Sequence, residues 1–173
     1  MAESIRPARS SDLDAIEHIE NDADQLLIDE LEPDSWMAAP SGAARASEPG
    51  FLLVAELDDA RLAGFVHVLE VDGLCHLEQV SVARNAARQG WGRKLVEAAK
   101  REAASRGYRR ISLRTYANVP WNAPFYETAG FVEEAPQTAF HRSLVDAEAA
   151  AGLDRLGPRL QMVALIGRGS RPL

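Results

Sequence analysis

The sequence of 173 residues has one cysteine, Cys75, so no disulfide can close within the chain. A lone cysteine in a strand-like run reads as a small buried hydrophobe and fits a reducing cytoplasm. Basic charge is also short: 19 Lys and Arg against 26 Asp and Glu leave a net charge of -7. That balance argues against nonspecific nucleic-acid binding, which runs on phosphate neutralisation, although a local basic patch can still hold a phosphate. No apolar run reaches the ~20 residues of a membrane-spanning helix. Met1 to Asp14 carries charge almost from the start, with no apolar stretch of signal-peptide length. No His, Cys and carboxylate group has metal-ligand spacing, so no metal is expected. These absences predict a cytoplasmic protein with neither nucleic acid nor membrane as a partner.

What is present suits one compact domain over residues 1–173, with 46% hydrophobic and 26% charged residues. A chain this long buries about 70% of the surface its unfolded form exposes and needs no covalent staple. Ile5 to Ala8 reads as a short strand, and Ser11 with Asp14 as a capping box. Leu13, Ile16, Ala23, Leu26 and Leu27 then recur at helical spacing, running into the acids Asp22, Asp24, Asp29, Glu30, Glu32 and Asp34. The bland reading of that run is a solvated surface. Strands follow over Phe51 to Leu57, Leu62 to Val71 and Leu74 to Val82, the last two joined by Asp72-Gly73, a strong hairpin signal. A helix over Trp91 to Arg106 buries Leu95, Val96, Ala99 and Ala103, and Ile111 to Tyr116 returns as a strand. Strand, helix, strand implies a parallel pair inside a mostly antiparallel sheet. Trp121 to Ala129 reads as a short helix, Ala139 to Gly152 as a helical connector and Gln161 to Ile166 as a final strand.

The stretch with the most chemistry is Val80-Ser81-Val82 leading through Arg84 to Gly90-Trp91-Gly92-Arg93-Lys94. Small residues at a strand-to-helix turn leave backbone N–H groups at the positive end of the helix dipole, which suits a diphosphate. Arg88, Arg93 and Lys94 add positive charge. The alternative is a glycine turn with solvated arginines. Leu95 excludes the dinucleotide fingerprint, and no Gly-Lys-Ser/Thr is present for a P-loop.

Leu77 to Val82, Gly90-Trp91-Gly92, Trp121 to Tyr126 and Gly130-Phe131 together resemble the GCN5-related N-acetyltransferase (GNAT) family over nearly the whole chain. The resemblance implies an α/β fold: a mixed, mostly antiparallel sheet with a splayed parallel strand pair, flanked by helices. It implies acetyl-CoA as cofactor, with contacts from Val80, Ser81, Val82, Arg88, Gln89, Gly90, Trp91, Gly92, Arg93 and Lys94. Two positions depart from the family pattern: Ala87 stands where Gln or Arg is usual, and Val119 where Asn is frequent. Asn122, beside the second position, is carried over as a cofactor contact.

Acetyl transfer to an amine needs a proton acceptor for the nucleophile and an acid for the departing thiolate. Glu78, an acid on an otherwise apolar central strand, is the expected acceptor, directly or through water; the alternative is a structural pairing with His67 or Arg114. Tyr126 matches the family's tyrosine that protonates the thiolate; the alternative is aromatic packing beside Phe125. His76 shares the face of Glu78 by strict alternation unless a bulge intervenes. Trp91 and Trp121 read as packing residues, Trp36 as a wall of the acceptor cleft, and His18 and His141 as structural or solvent-facing. The expectation is an N-acetyltransferase acting on a primary amine of a small molecule by direct attack in a ternary complex, the acidic run favouring a cationic acceptor. A protein or peptide acetyltransferase and a non-catalytic coenzyme A-binding module are the alternatives, and pairing into a homodimer stays open.

Overall fold

A computed structural model describes residues 3–167. The chain begins with strand β1 (Ser4–Pro7), turns through a short 3-10 segment and enters helix α1 (Leu13–Leu31). Asp12, rather than the Ser11 and Asp14 pair, secures that entry: its carboxylate accepts the Arg9 backbone N–H at 2.7 Å and an Arg6 N–H at 2.8 Å. The last inward residues of α1 are Ile16, Ile19 and Glu20, while Leu26 is largely exposed, so the expected apolar stripe covers only the first half of the helix. A short helix α2 (Gly42–Ser47), not anticipated from periodicity because GAARAS is small and polar, follows the Trp36 loop.

The meander is as the apolar runs and the turns between them predict: β2 (Gly50–Glu56), β3 (Leu62–Val71) and β4 (Leu74–Val82) pair antiparallel in order. Asp72 and Gly73 both hold positive φ in the hairpin between the last two. Helix α3 (Trp91–Ser105) crosses over to β5 (Arg110–Tyr116), which lies parallel to β4. Then come α4 (Ala123–Thr128), the three-residue strand β6 (Val132–Glu134), α5 (Ala139–Ala150) and β7 (Arg159–Leu165). The single sheet has the order β1-β2-β3-β4-β5-β7-β6. This is the mixed α/β arrangement expected, with β4 and β5 as its parallel pair. No helix among the described residues is long and apolar enough to cross a membrane.

Two apolar clusters form, one on each face of the sheet. The larger joins α3 (Leu95, Val96, Ala99) to Val66, Val68, Leu77, Ile111 and Leu113 of the strands, and takes in Tyr126 and Phe131. The smaller joins Ile16 and Ile19 of α1 to Val54 and Phe65. On this second face a buried ion pair does work that apolar contacts cannot. Arg45 of α2 donates to both carboxylate oxygens of Glu20 in α1, at 2.8 and 2.6 Å, and to Nδ1 of His67 in β3 at 2.9 Å. One guanidinium thereby fastens two helices to a central strand. Burial lifts the Glu20 carboxyl above its ordinary pKa, while Arg45 pulls it back in part.

Removing one member of such a pair leaves the other buried without a partner. Glu20→Ala should therefore destabilise the fold by about 3–5 kcal/mol in urea unfolding. A loss within about 0.5 kcal/mol, the range of an unremarkable surface substitution, would show that Arg45 finds solvent instead.

Candidate active site

Strand β4 carries the site because its pairing changes twice along its length. On the β3 side the register runs His67↔Gln79 and then Val68↔Leu77, so Glu78 is the extra residue of a bulge. Alternation resets there. Before the bulge Cys75 and Leu77 enter the larger core, and after it Val80 and Val82 do. On the β5 side pairing is confined to His76↔Ser112 and Leu77↔Leu113. Beyond those pairs β5 stays bonded to β7 as far as Tyr116↔Arg159, and β4 stays bonded to β3 as far as Val82. The two parallel strands consequently diverge, and no strand takes up the β4 backbone groups on that side from Glu78 onward.

Glu78 lies at the mouth of this divergence with its side chain 37% exposed. It pairs with neither His67 nor Arg114, which are bound to Arg45 and Glu148 respectively. Its nearest polar partner is Nε2 of His76, 3.8 Å from the carboxylate. Although Glu78 is the bulged residue, its carboxylate stays beside His76, because Leu77 before it and Val80 after it are the residues that enter the larger core. Burial raises the Glu78 carboxyl, with Arg45 opposing and Glu48, Glu148 and Glu20 adding to the rise. That is the direction a group needs if it is to take up a proton near neutral pH.

His76 is buried, its Nδ1 2.8 Å from the Ser112 hydroxyl and its ring edge-on to Phe140. Burial, helped by His141 and Arg114, lowers its pKa to about 3. The Ser112 hydroxyl in turn meets Nε2 of His141 at 3.0 Å. Ser112 and His141 were not legible as site residues, since only the parallel register and the docking of α5 bring them to His76. Glu20 and Asp24 follow one another at i, i+4 on α1, and the Asp24 carboxylate accepts the Trp36 indole N–H at 3.1 Å. Burial raises Asp24 as well. The rest of the acidic run is spent elsewhere: Asp22 binds Arg84, Asp29 binds Gln25, and Glu30, Glu32 and Asp34 are exposed.

At the other end of β4 the chain turns through Arg88 and Gly90, both at positive φ, into α3. Open space surrounds Gly90, so its role is to supply the left-handed turn that aims the start of α3. Lys94 N–H makes the first intrahelical bond, to the Gly90 carbonyl at 3.1 Å, which leaves the Trp91, Gly92 and Arg93 N–H groups without a helical acceptor. Gln89 and Arg88 are exposed, and Arg88 makes no ion pair among the described residues. Arg93 is committed to Thr128, at 2.7 Å to its carbonyl and 2.6 Å to its hydroxyl, and Lys94 sits 4.2 Å above the Trp91 ring. Trp91 is buried, but Trp121, expected to pack, is 42% exposed. Ser81 is buried and accepts from Gln79, with Val80 and Val82 half-buried on the α3 face.

Tyr126 is 7% exposed, edge-on to Phe125 and Phe131, yet its hydroxyl has no hydrogen-bond partner among the described residues and is not sealed. Burial raises its pKa, so it stays a protonated donor. The ring packs as the packing reading expects, and the hydroxyl is left without a partner. Asn122, which precedes α4, has its side-chain N–H2 buried with nothing to donate to. Cys75 is buried with its thiol pushed up to about 12, and His18 is exposed.

A family model described as the Acetyltransferase (GNAT) family matches residues 13–131. Among solved structures, the ribosomal-protein-S18-alanine N-acetyltransferase of Escherichia coli is similar at 22% identity and a TM-score of 0.68, covering 99% of this chain and 98% of that one. A nourseothricin acetyltransferase is similar at 24% identity and a TM-score of 0.65, covering 96% and 99%. The PaiA N-acetyltransferase of Thermoplasma acidophilum, solved with coenzyme A, is similar at 13% identity and a TM-score of 0.67, covering 95% and 99%.

The buried histidine beside Arg45 makes a pH signature. Arg45 can only donate, so His67 Nδ1 accepts and its one proton sits on Nε2. Burial and then Arg45 lower His67 to about 4, whereas in the unfolded chain it titrates near 6.5. Between those values the unfolded state binds the extra proton, so this group's contribution is whole above pH 6.5 and is lost as the pH falls to about 4. His67→Gln keeps an acceptor for Arg45 but cannot titrate. The parent's stability relative to this variant should shrink across that window in urea titrations, and a constant difference would contradict the assignment.

Proposed function

Since the chain belongs to the GNAT acetyltransferase family, we propose that it transfers acetyl from acetyl-CoA to the primary amine of a small, cationic molecule by direct attack in a ternary complex. The observation that carries this reading is the divergence of β4 from β5, with a raised carboxyl on one side and an unpartnered tyrosine hydroxyl on the other. Acetyl-CoA supplies the acetyl group as a thioester, already activated for transfer. The residues present fit it: the first N–H groups of α3 with Arg88 suit its diphosphate, and the buried Asn122 amide suits a polar group of its arm.

The chain's residues then divide the work. Backbone N–H groups of β4 around Val80, free of a β5 partner, polarise the acyl oxygen. Glu78 takes up the proton that the amine must lose. Tyr126, held protonated by burial, delivers a proton to the departing sulfur and is restored by the second proton the nitrogen loses as the amide forms.

Two features favour a small, positively charged acceptor. The wall formed by α1, the Trp36 loop and α2 is tied down by Arg45 to Glu20, Trp36 to Asp24 and the Ala39 N–H to Asn21 at 2.9 Å. A fixed wall suits a compact substrate better than a peptide. Within it Glu20 is neutralised by Arg45, which leaves Asp24 and Glu78 as the acids able to attract an ammonium.

The test is release of coenzyme A measured across panels of amines and peptides. Small polyamines or aminoglycosides should turn over and peptides should not; the reverse pattern would move the reading to a protein acceptor. Tyr126→Phe should keep affinity for acetyl-CoA and lower turnover by ~10²-fold, the scale of general-acid catalysis. An unchanged rate would leave Tyr126 as packing alone. The acid limb of kcat/KM should lie above the ordinary glutamate range and vanish in Glu78→Gln, because the raised carboxyl must be ionised to accept a proton. Finally, KM for the cationic amine should rise with ionic strength as the Debye length falls from ~30 to ~8 Å. A KM indifferent to salt would remove Asp24 and Glu78 from acceptor attraction.

A further inference from the structure

Transfer to an ammonium releases one proton for each acetyl moved, and that proton must leave Glu78 before the next cycle. When an acceptor covers Glu78, direct exit to the cleft is closed. A second route is built into the fold. His76 Nε2 lies 3.8 Å from the Glu78 carboxylate, close enough to meet it after a small shift of the exposed glutamate side chain. His76 Nδ1 lies 2.8 Å from Ser112 Oγ, and Ser112 Oγ lies 3.0 Å from His141 Nε2. All three of these groups are buried, yet His76 Nε2 and His141 Nδ1 are absent from the sealed atoms that lack a partner. His141 and Ser112 line a cavity of about 280 Å³ with Cys75, Thr138, Gln137 and Glu134. This cavity sits at the amino ends of β4 and β5, away from the divergence. The chain therefore runs from the reaction cleft, across the parallel pair, to a separate solvent space.

We propose that Glu78, His76, Ser112 and His141 form a proton relay that carries the amine's proton through the sheet to this cavity. The inference rests on the reading of Glu78 as proton acceptor.

The transfers balance without an imidazolium. The protonated Glu78 gives its proton to His76 Nε2 as His76 Nδ1–H passes one to Ser112 Oγ. The Ser112 hydroxyl proton moves to His141 Nε2, and His141 Nδ1–H gives one to water in the cavity. Each group gains one proton and loses one. Glu78 is left ionised, and both imidazoles have changed tautomer. Once the product leaves, His76 Nε2–H gives its proton to water in the open cleft while Ser112 returns one to His76 Nδ1, His141 Nε2–H one to Ser112 and cavity water one to His141 Nδ1, which resets them. Such a path suits histidines whose burial keeps them neutral. The charges facing them are balanced nearby: Arg114 is held by Glu148 at 2.6 Å, and Arg110 by Glu134.

The test reads the histidines directly, with no acceptor needed. In protein labelled with 15N at histidine, Glu78→Gln should shift the tautomer populations of His141, three links away. The same substitution in a Ser112→Ala background should leave His141 unmoved. An unmoved His141 in Glu78→Gln alone overturns the relay. With an amine that turns over, Ser112→Ala in dilute buffer should lower kcat by about 10²-fold, the low end of what proton transfer contributes. KM for acetyl-CoA should hold, Ser112→Thr should retain the rate, and added imidazole should restore Ser112→Ala. A full rate in Ser112→Ala, or a loss that imidazole does not repair, overturns it. Should Ser112→Ala not fold, His141→Gln breaks the far end and is read by the same imidazole rescue. Full turnover in Glu78→Gln would instead remove the premise that Glu78 accepts the proton, which separates the two failures.

Discussion

Strand β4 is held by β3 along its whole length and by β5 at only two positions, and this unequal grip organises the rest of the molecule. β5 is bound over seven register pairs to β7, so it follows that strand and leaves β4 behind after Leu77↔Leu113. Backbone groups in the middle of a sheet are costly to leave unpaired. Here they are left free on one side of one strand, where a ligand can use them. The bulge at Glu78 belongs to the same constraint. It keeps β4 in register with β3 on both sides of the opening while turning a carboxylate into it.

An opening in a sheet needs support from outside it, and the two faces supply it differently. On the α3 face the support is apolar, from Leu95, Val96 and Ala99 through to Tyr126 and Phe131. On the other face it is polar and paired. Arg45 binds Glu20 and His67, while Arg114 and Arg159 together bind Glu148 of α5. Burial pushes Glu148 up, but the hydrogen bonds from Arg159 and Arg114 bring it below the usual carboxylate range. Buried ion pairs contribute little net stability, yet they hold one geometry, because any other leaves a charge unpaired. Two helices on this face are thus each fixed to the sheet by arginines.

The same arrangement gives Tyr126 and Glu78 different surroundings. Tyr126 lies in the apolar cluster, where burial keeps its hydroxyl protonated. Glu78 lies toward the polar face, where burial and neighbouring carboxylates make proton uptake easier than for an exposed glutamate. A protonated phenol and a carboxyl that takes up a proton readily are thus kept on opposite sides of the strand opening. His76, which alternation already set beside Glu78, gains its further connection only because α5 lays His141 over the parallel pair.

Local sequence determined the strands and the two long helices. A continuous apolar run such as Leu62 to Val71 suits a strand buried on both faces, Asp72-Gly73 has one favourable turn, and Leu95 to Ala103 has one apolar stripe. It also marked Glu78 and Tyr126, because a carboxylate on an apolar strand and a tyrosine within a motif stand out against their neighbours. Tertiary structure decided the rest. Asp12 displaced Ser11 as the support for α1 because Arg6 reaches it across the turn. GAARAS became a helix because Arg45 found Glu20, 25 residues earlier. Val132–Glu134 became a strand because β7 offered it an edge. Of the acidic run only Asp24 turned inward, one turn beyond the buried Glu20, since the pitch of α1 and the placing of Arg45 and Trp36 set which carboxylates meet the sheet. Ser112 and His141 are ordinary residues in the sequence. Contacts between distant segments alone make them neighbours of His76, and no local pattern encodes such contacts.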